Sequence, residues 1–261
     1  MRQGARKSEA PRRVLRTGVA KEPRILESTI LRDAPRCFAL VPCAGFGARA
    51  GAAGPKQYQA LADRSLVAHT LAALCAVPAL AATLVVLASD DAQFESHAPG
   101  FTGPNAWVAR CGGATRAASV AAGLQMLRER GAGADDWVLV HDAARCLLRP
   151  AWVQRLIEAC LDDAVGGLLA LPLADTLKQV AQGRAQRTID RADKWLAQTP
   201  QMFRLGLLQD ALARAGDDVT DEASAIEAMG LQPLLVRGEF ENLKVTWPAD
   251  FALAARLLET R

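Results

Sequence analysis

Arg49 and Lys56 flank a run of small residues. The stretch Val41-Pro42-Cys43-Ala44-Gly45-Phe46-Gly47-Ala48-Arg49 is followed closely by Gly54-Pro55-Lys56-Gln57-Tyr58. Small residues let backbone N–H groups come close to a ligand, and two cations add positive charge beside it. That combination suits a nucleoside triphosphate, whose phosphates take both amide donors and cations. The pattern is not a dinucleotide fingerprint, because Ala50 stands where its third glycine belongs, and it lacks the Gly-Lys-Ser/Thr ending of a P-loop. A plain strand-to-helix turn would use the same residues, so both readings stay open on this stretch alone.

Three further groups carry chemistry. In His141-Asp142-Ala143-Ala144-Arg145, Asp142 suits a hydrated Mg²⁺ or a ribose hydroxyl and Arg145 a phosphate; an Asp–Arg pair that merely fixes the loop is equally compatible. In Cys111-Gly112-Gly113-Ala114-Thr115-Arg116-Ala117-Ala118-Ser119, a glycine turn opens a helix on which Arg116 and Ser119 can share a face. Ser119 suits a base edge and Arg116 suits holding the loop, although an ordinary helix start reads the same. Lys244, in Asn242-Leu243-Lys244-Val245-Thr246, interrupts an apolar pattern that reads as a strand, and a charge there is costly unless paired or facing a polyanion. Thr220-Asp221-Glu222-Ala223-Ser224 has the form of a helix start capped by Thr220 or Asp221.

Arg49, Lys56, Lys244 and one carboxylate describe a site needing neither base nor covalent nucleophile. A substrate phosphate, already ionised at neutral pH, can attack the α-phosphorus of a nucleotide and expel pyrophosphate. The protein must align two anions and stabilise the charge that builds on phosphorus, which cations and Mg²⁺ do directly. The three histidines, His69, His97 and His141, have no metal-ligand spacing, so zinc is not expected, and His141 is given no catalytic role.

The elements that must position these residues alternate between short apolar strands and helices. Strands are expected at Cys37–Val41, Thr83–Ala88, Ala106–Arg110, Trp137–Val140 and Gly167–Leu171. Helices are expected at Ser65–Cys75, Thr115–Arg130 and Trp152–Ala164, with a short one after Ser89-Asp90-Asp91. This order predicts an α/β fold with a mostly parallel sheet covered on both faces. Ligands then sit beyond the carboxyl ends of the strands, where the glycine loop, Asp91, Gly112-Gly113 and His141-Asp142 fall. Between Pro172 and Gln201 the regularity breaks, and residues 178–191 read as a polar hairpin around Gln182-Gly183. Such a hairpin is weak by itself and should lean on something, for instance a second subunit. Helices at Arg204–Ala215 and Asp221–Met229, strands near Leu234–Val236 and Leu243–Thr246, and a helix from about Pro248 complete the chain.

The 261 residues carry a formal charge of +3, but ten Lys/Arg against four Asp/Glu fall within residues 1–36, leaving 21 against 24 elsewhere. The folded part is therefore mildly acidic, which argues against a nucleic-acid-binding body. Residues 1–36 read as a basic, disordered extension without the hydrophobic segment of a secretory signal, and residues 37–261 as one domain. Hydrophobic residues make up 51%, enough for a core, and no run reaches transmembrane length. None of the six cysteines forms a C-x-x-C pair, so free, mainly buried thiols in a reducing, cytoplasmic setting are expected.

With these residues in view, the chain resembles the 2-C-methyl-D-erythritol 4-phosphate cytidylyltransferases, CTP-dependent enzymes of the non-mevalonate isoprenoid pathway. The matching blocks are the glycine loop with Pro55-Lys56-Gln57-Tyr58, Gly112-Gly113-x-x-Arg116-x-x-Ser119-Val120, and Val140-His141-Asp142-Ala143-Ala144-Arg145. They continue with Asp175-Thr176, Thr188-x-Asp190-Arg191, Thr199-Pro200-Gln201, Thr220-Asp221-Glu222-Ala223-Ser224 and Asn242-x-Lys244-Val245-Thr246. They keep the family's order across about residues 37–261.

The resemblance implies a Rossmann-like nucleotidyltransferase fold and a homodimer in which an arm, residues 173–200, reaches over the neighbouring subunit. It implies CTP as co-substrate and Mg²⁺ or another divalent cation held by Asp142. Cys43, Ala44, Gly45, Gly47, Arg49, Lys56, Asp91, Gly112, Ser119 and Asp142 would bind CTP. Arg49, Lys56, Lys244 and Asp142 would carry catalysis. Arg145, Asp175, Thr176, Thr220 and Lys244 would bind the methylerythritol phosphate, joined by Arg191 from the partner's arm. No nucleic acid or membrane partner is expected. Cys43, Ala48, Ala50, Cys146 and Glu241 depart from the family pattern, and Ala48 bears on the loop's hold on CTP. A cytidylyltransferase for another polyol phosphate, such as ribitol 5-phosphate, and a nucleotide-binding module without turnover are the competing readings.

Overall fold

The computed structural model describes residue 1 and residues 34–45, 54–215 and 219–261. Gly47, Ala48, Arg49 and Ala50, and nearly all of the basic extension, lie outside the described residues. Residues 35–261 form one compact unit.

Alternation along the central strands builds its two cores. In β1 (Cys37–Pro42), Cys37, Ala39 and Val41 point to one face of the sheet and Phe38 and Leu40 to the other. In β6 (Trp137–Val140), Trp137 and Leu139 share the first face, and Val138 and Val140 the second. This is the period of two expected of a strand buried on both sides. On the first face α1 (Leu66–Cys75) and α4 (Pro150–Cys160) supply Leu71, Leu74, Trp152 and Ile157. On the second, α3 (Arg116–Glu129), α5 (Leu205–Ala215) and α6 (Glu222–Ala228) supply Leu124, Leu208 and Ile226. Burying each such side chain contributes about 1.5–3 kcal/mol. Gly123 marks where α3 presses closest: a Cβ there would lie 2.7 Å from both Leu40 and Val86.

The sheet has seven strands in the order β11-β7-β10-β6-β1-β4-β5. Here β4 is Leu80–Val86, β5 Ala106–Ala109, β7 Gly166–Pro172, β10 Trp195–Arg204 and β11 Leu234–Arg237. All neighbouring pairs are parallel except those made by β10, which runs antiparallel to both β6 and β7. After β1 the chain builds outward through β4 and β5, then returns to lay β6 on the other flank of β1. The reversal opens a crevice beyond the carboxyl ends of β1 and β6, the usual ligand position in such sheets.

Most expected elements are present. Ser65 caps α1 through Ala68 N–H and Thr115 caps α3 through Ala118 N–H. The closing helix α7 (Pro248–Glu259) starts on its proline. The short helix after Asp91 is α2 (Phe94–His97). The hairpin consists of β8 (Leu177–Ala181) and β9 (Arg184–Ile189), which pair only with each other and turn at Gln182 and Gly183, both with positive φ. Two short strands, β2 (Ala60–Leu61) and β3 (Arg64–Ser65), form a separate ribbon before α1.

Two expectations fail. Residues 195–201, read as part of an irregular stretch, belong to the central strand β10, which runs on to Arg204, read as a helix start. The segment Leu243–Thr246, read as a strand, joins no sheet. It is irregular, with Val245 N–H bonded to Ala144 O at 2.9 Å, and Leu243 and Val245 pack beneath α7. The six cysteines are free, four of them buried. Among the described residues no helix is long and apolar enough to cross a membrane.

Candidate active site

The crevice holds two adjoining hollows that meet at Arg116, Asp142 and Lys244. The first, about 260 Å³, is lined by Cys43, Ala44, Gly45, Lys56, Gly113 and Ser119 together with those three. The second, about 190 Å³, is lined by the same three with Arg145, Gln198, Thr199, Gln201, Thr220 and Asp221. A larger cavity of about 620 Å³ opens between α1 and α2. Apart from Arg64, which pairs with Asp63, its lining has no arginine or lysine and cannot hold a triphosphate.

The first hollow is shaped by the ends of β1 and β4. Cys43 N–H donates to Val86 O at 2.8 Å, and the buried Gln57 side chain donates to Cys43 O at 3.0 Å. Gly112 lies beneath this loop: its N–H donates to Leu87 O at 2.8 Å, and a Cβ there would sit 2.7 Å from that oxygen and collide with the Ala44 side chain. Only glycine allows the two loops so close. The buried Ser119 hydroxyl accepts from Gly113 N–H at 3.1 Å and donates to Thr115 O at 2.9 Å. Of the two roles open in the sequence, the loop-holding bonds belong to Ser119, while Arg116 reaches across to carboxylates. Lys56 Nζ donates to Val245 O at 2.7 Å, joining the turn after the glycine loop to the segment that carries Lys244.

Asp142 is the junction. Its Oδ1 accepts from Arg116 Nε at 2.9 Å and its Oδ2 pairs with Lys244 Nζ at 2.7 Å. Burial raises the Asp142 pKa, but Arg116 and Lys244 outweigh it and hold the carboxyl well below the usual carboxylate range. Arg116 also makes a bidentate pair with the buried Glu222, NH1 to Oε1 at 2.6 Å and NH2 to Oε2 at 3.0 Å. Burial works against the Arg116 charge, yet the two carboxylates raise its pKa. Arg145 does not pair with Asp142. Its NH1 donates to Asn242 O at 2.6 Å and its NH2 to Ala197 O at 3.2 Å. Among the described residues its buried Nε has no partner.

His141 is fully buried between Thr199 Oγ1, 3.1 Å from Nδ1, and Arg145 O, 3.2 Å from Nε2. Burial pushes its pKa down to about 4, so it is neutral at pH 7 and supports the loop. As pH falls the unfolded chain takes up this proton first. The stability His141 contributes is therefore full above about pH 6.5 and declines toward pH 4. Urea unfolding should show about 2 kcal/mol less stability at pH 5 than at pH 7.5 from this group. A His141→Asn variant should lose most of that difference, and an unchanged slope would contradict a buried neutral imidazole.

The remaining expected site residues divide. Thr220 lines the second hollow, just before Asp221, which caps α6 through Ser224 N–H. Asp91 lines neither hollow; its carboxylate accepts from Tyr58 OH at 2.5 Å and from the N–H groups of Gln93 and Phe94. Asp175, Thr176 and Arg191 are exposed on the arm and line neither hollow. Gln57, Thr199, Gln201 and Glu222 were not singled out for the site from sequence. Thr199 and Gln201 are polar residues in an otherwise buried stretch, which is a usable signal, whereas Gln57 lies in a polar, partly exposed turn that gives none. A glutamate at a helix start reads as an ordinary surface residue and gives none.

A mostly parallel sheet with its crevice at the switch point, and a glycine-walled hollow lined by Lys56 and by Lys244 paired with the buried Asp142, define a nucleotidyltransferase. The model of the IspD family, 2-C-methyl-D-erythritol 4-phosphate cytidylyltransferase, matches residues 37–260, and the chain belongs to this family. It is 54% identical over 229 residues to the 2-C-methyl-D-erythritol 4-phosphate cytidylyltransferase of Burkholderia vietnamiensis, covering 86% of this chain and 96% of that one. It is 63% identical over 227 residues to the bifunctional enzyme IspD/IspF of Albidiferax ferrireducens, covering 87% of this chain but only 54% of that protein. Among solved structures, a 4-diphosphocytidyl-2C-methyl-D-erythritol synthase matches with TM-score 0.77 at 41% identity, covering 86% of this chain and 98% of the other. The Francisella tularensis 2-C-methyl-D-erythritol 4-phosphate cytidylyltransferase matches with TM-score 0.72 at 32% identity, covering 84% and 98%.

Proposed function

We propose that this chain transfers the cytidylyl group of CTP to 2-C-methyl-D-erythritol 4-phosphate, with the nucleotide in the first hollow and the acceptor phosphate in the second. The observation that carries this reading is the placement of Asp142 and Lys244, paired at 2.7 Å where the hollows meet. An oxygen of the acceptor phosphate forms a bond to the α-phosphorus. The bond from that phosphorus to the β-phosphate oxygen breaks, and its electron pair leaves with pyrophosphate. No proton has to be removed from the nucleophile, so the chain's work is alignment and charge stabilisation. Lys56 and Lys244 lie at the wall of the first hollow for that role; Arg49, outside the described residues, is assigned to the same role from the sequence alone. Cys43, Ala44 and Gly45 wall the nucleotide, with Gly112 and Ser119 fixing that wall; Gly47 and Asp91 are assigned to CTP by the family resemblance alone. Arg145, Thr220 and Lys244 receive the acceptor.

Among the described residues no cluster of three or more His, Cys, Asp or Glu could hold a metal alone. A Mg²⁺ ion bound through one carboxylate, substrate phosphates and water needs no such cluster. Asp142 suits that mode because it is kept ionised and each oxygen retains a lone pair beyond its present partner. The bound ion would neutralise phosphate charge.

The arm supports a homodimer. Strands β8 and β9 pair with no other strand, and Val180, Trp195 and Leu196 expose apolar surface along this region. Asp175, Thr176 and Arg191 then serve an acceptor site through assembly. Arg191→Ala should raise the acceptor KM at least tenfold. Mixed dimers of Arg191→Ala with Asp142→Ala subunits should regain one working site of two. Failure to regain activity would confine the arm to its own subunit.

Pyrophosphate release with Mg²⁺ and CTP, compared between 2-C-methyl-D-erythritol 4-phosphate and ribitol 5-phosphate, tests the reaction. Release with the first alone is expected. Release with ribitol 5-phosphate alone would overturn the acceptor, and silence with both would leave a nucleotide-binding module.

A further inference from the structure

Arg116 is the first residue of α3, directly after the Gly113–Thr115 wall of the first hollow. Glu222 is the first residue of α6, directly after the Thr220–Asp221 wall of the second. The two meet in a bidentate pair that leaves Arg116 Nε on Asp142. Both helix starts are tied down independently. Asp221 and Ser224 form a reciprocal capping box, and the Gln201 side chain donates to Asp221 at 2.8 Å and accepts from Ala223 N–H at 2.7 Å. Ser119 secures α3 through Gly113 and Thr115. A buried ion pair is a poor source of stability compared with apolar side chains of the same volume. What it provides here is direction: two of the guanidinium's donor nitrogens are committed to Glu222, so the third meets Asp142 Oδ1 and leaves Oδ2 to Lys244.

We propose that Arg116 and Glu222 form a positioning pair that fixes Asp142 and mechanically couples the acceptor-side helix α6 to the nucleotide-side helix α3. The assignment of substrates to the two hollows rests on the proposed function; the coupling itself does not. Nucleotide binding against the start of α3 therefore stiffens the start of α6, preparing Thr220 and Asp142 together. Lysine cannot replace Arg116, because an ammonium has no planar fork to span two carboxylates.

Hydrogen exchange of the full chain, with and without CTP and Mg²⁺, tests the coupling without requiring turnover. CTP should slow amide exchange across residues 222–228 at least threefold in the wild type. Glu222→Gln should abolish that slowing and lower kcat by about 10- to 100-fold. Arg116→Lys should not rescue either. The double variant Arg116→Met with Glu222→Leu replaces the pair by apolar volume and keeps the fold. It should show the same two losses while unfolding at a urea midpoint no lower than that of Glu222→Gln, which separates positioning from folding. Wild-type protein in which CTP leaves α6 exchange unchanged, or a double variant that retains both the slowing and wild-type kcat, would overturn the proposal. Slowed α6 exchange in a wild type that releases no pyrophosphate would sink the proposed reaction and leave the coupling standing.

Discussion

Replacing Lys244 by alanine is expected to lower kcat for cytidylyl transfer by about 10²- to 10³-fold, about 2.7–4 kcal/mol of transition-state stabilisation. Its ammonium stands 2.7 Å from Asp142 Oδ2, at the one place where both hollows share a wall. Charge grows on the phosphorus during reaction, so the loss is felt more in the transition state than in binding. The fold depends on Lys244 much less. The side chain is 42% exposed and Asp142 keeps its bond to Arg116. Stability should move by no more than about 1 kcal/mol. Lys56→Ala should lose rate on the same scale, with a larger effect on stability because Lys56 also ties its turn to Val245 O. Steady-state kinetics beside urea midpoints check both. A kcat within threefold of wild type in both variants would remove these hollows as the reaction site.

These expectations combine what was legible in the sequence with what was not. Strands β1, β4, β6 and β7 announce themselves as short apolar runs, and Ser65 and Thr115 as caps, because burial and capping are local in sequence. Strand β10 hides because Gln198, Thr199, Pro200 and Gln201 interrupt its apolar run. Those polar residues are buried nonetheless, since each is satisfied by a distant partner: Gln198 by Glu239 O, Thr199 by His141, Gln201 by α6. The opposite error arose at Leu243–Thr246. There the alternation that suggests a strand reflects an irregular segment whose apolar side chains, Leu243 and Val245, pack under α7. The lysine within it was legible as a charge needing an anion, and its protein partner proves to be Asp142. That Lys56, Asp142 and Lys244 line the crevice was thus readable by residue type, while Arg49 lies outside the described residues. The Arg116–Glu222 pair was not, because Glu222 looks like any acidic residue at a helix start until the fold buries it 106 positions from Arg116.

Asp142→Asn isolates what that carboxylate does. The amide keeps the size of the side chain but removes the negative charge facing Arg116 and Lys244, leaving Arg116 with Glu222 alone and the half-exposed Lys244 without its carboxylate. Solvent at Lys244 and the Glu222 carboxylate at Arg116 offset part of the loss, so a drop in urea stability of about 1–3 kcal/mol is expected even though the shape is conserved. The nucleotide-side consequence runs the other way. An anion site that loses a negative charge repels a triphosphate less, so CTP affinity measured by calorimetry without metal should not weaken. Turnover with Mg²⁺ should nevertheless fall by about 10³-fold, because the variant lacks both the charge that would hold the ion and one of the two oxygens that accept from Arg116 and Lys244. Preserved binding with collapsed turnover would mark Asp142 as a group that acts in the transition state. Parallel loss of both would reduce it to a wall of the hollow, and retained turnover would show that the reaction does not need its charge.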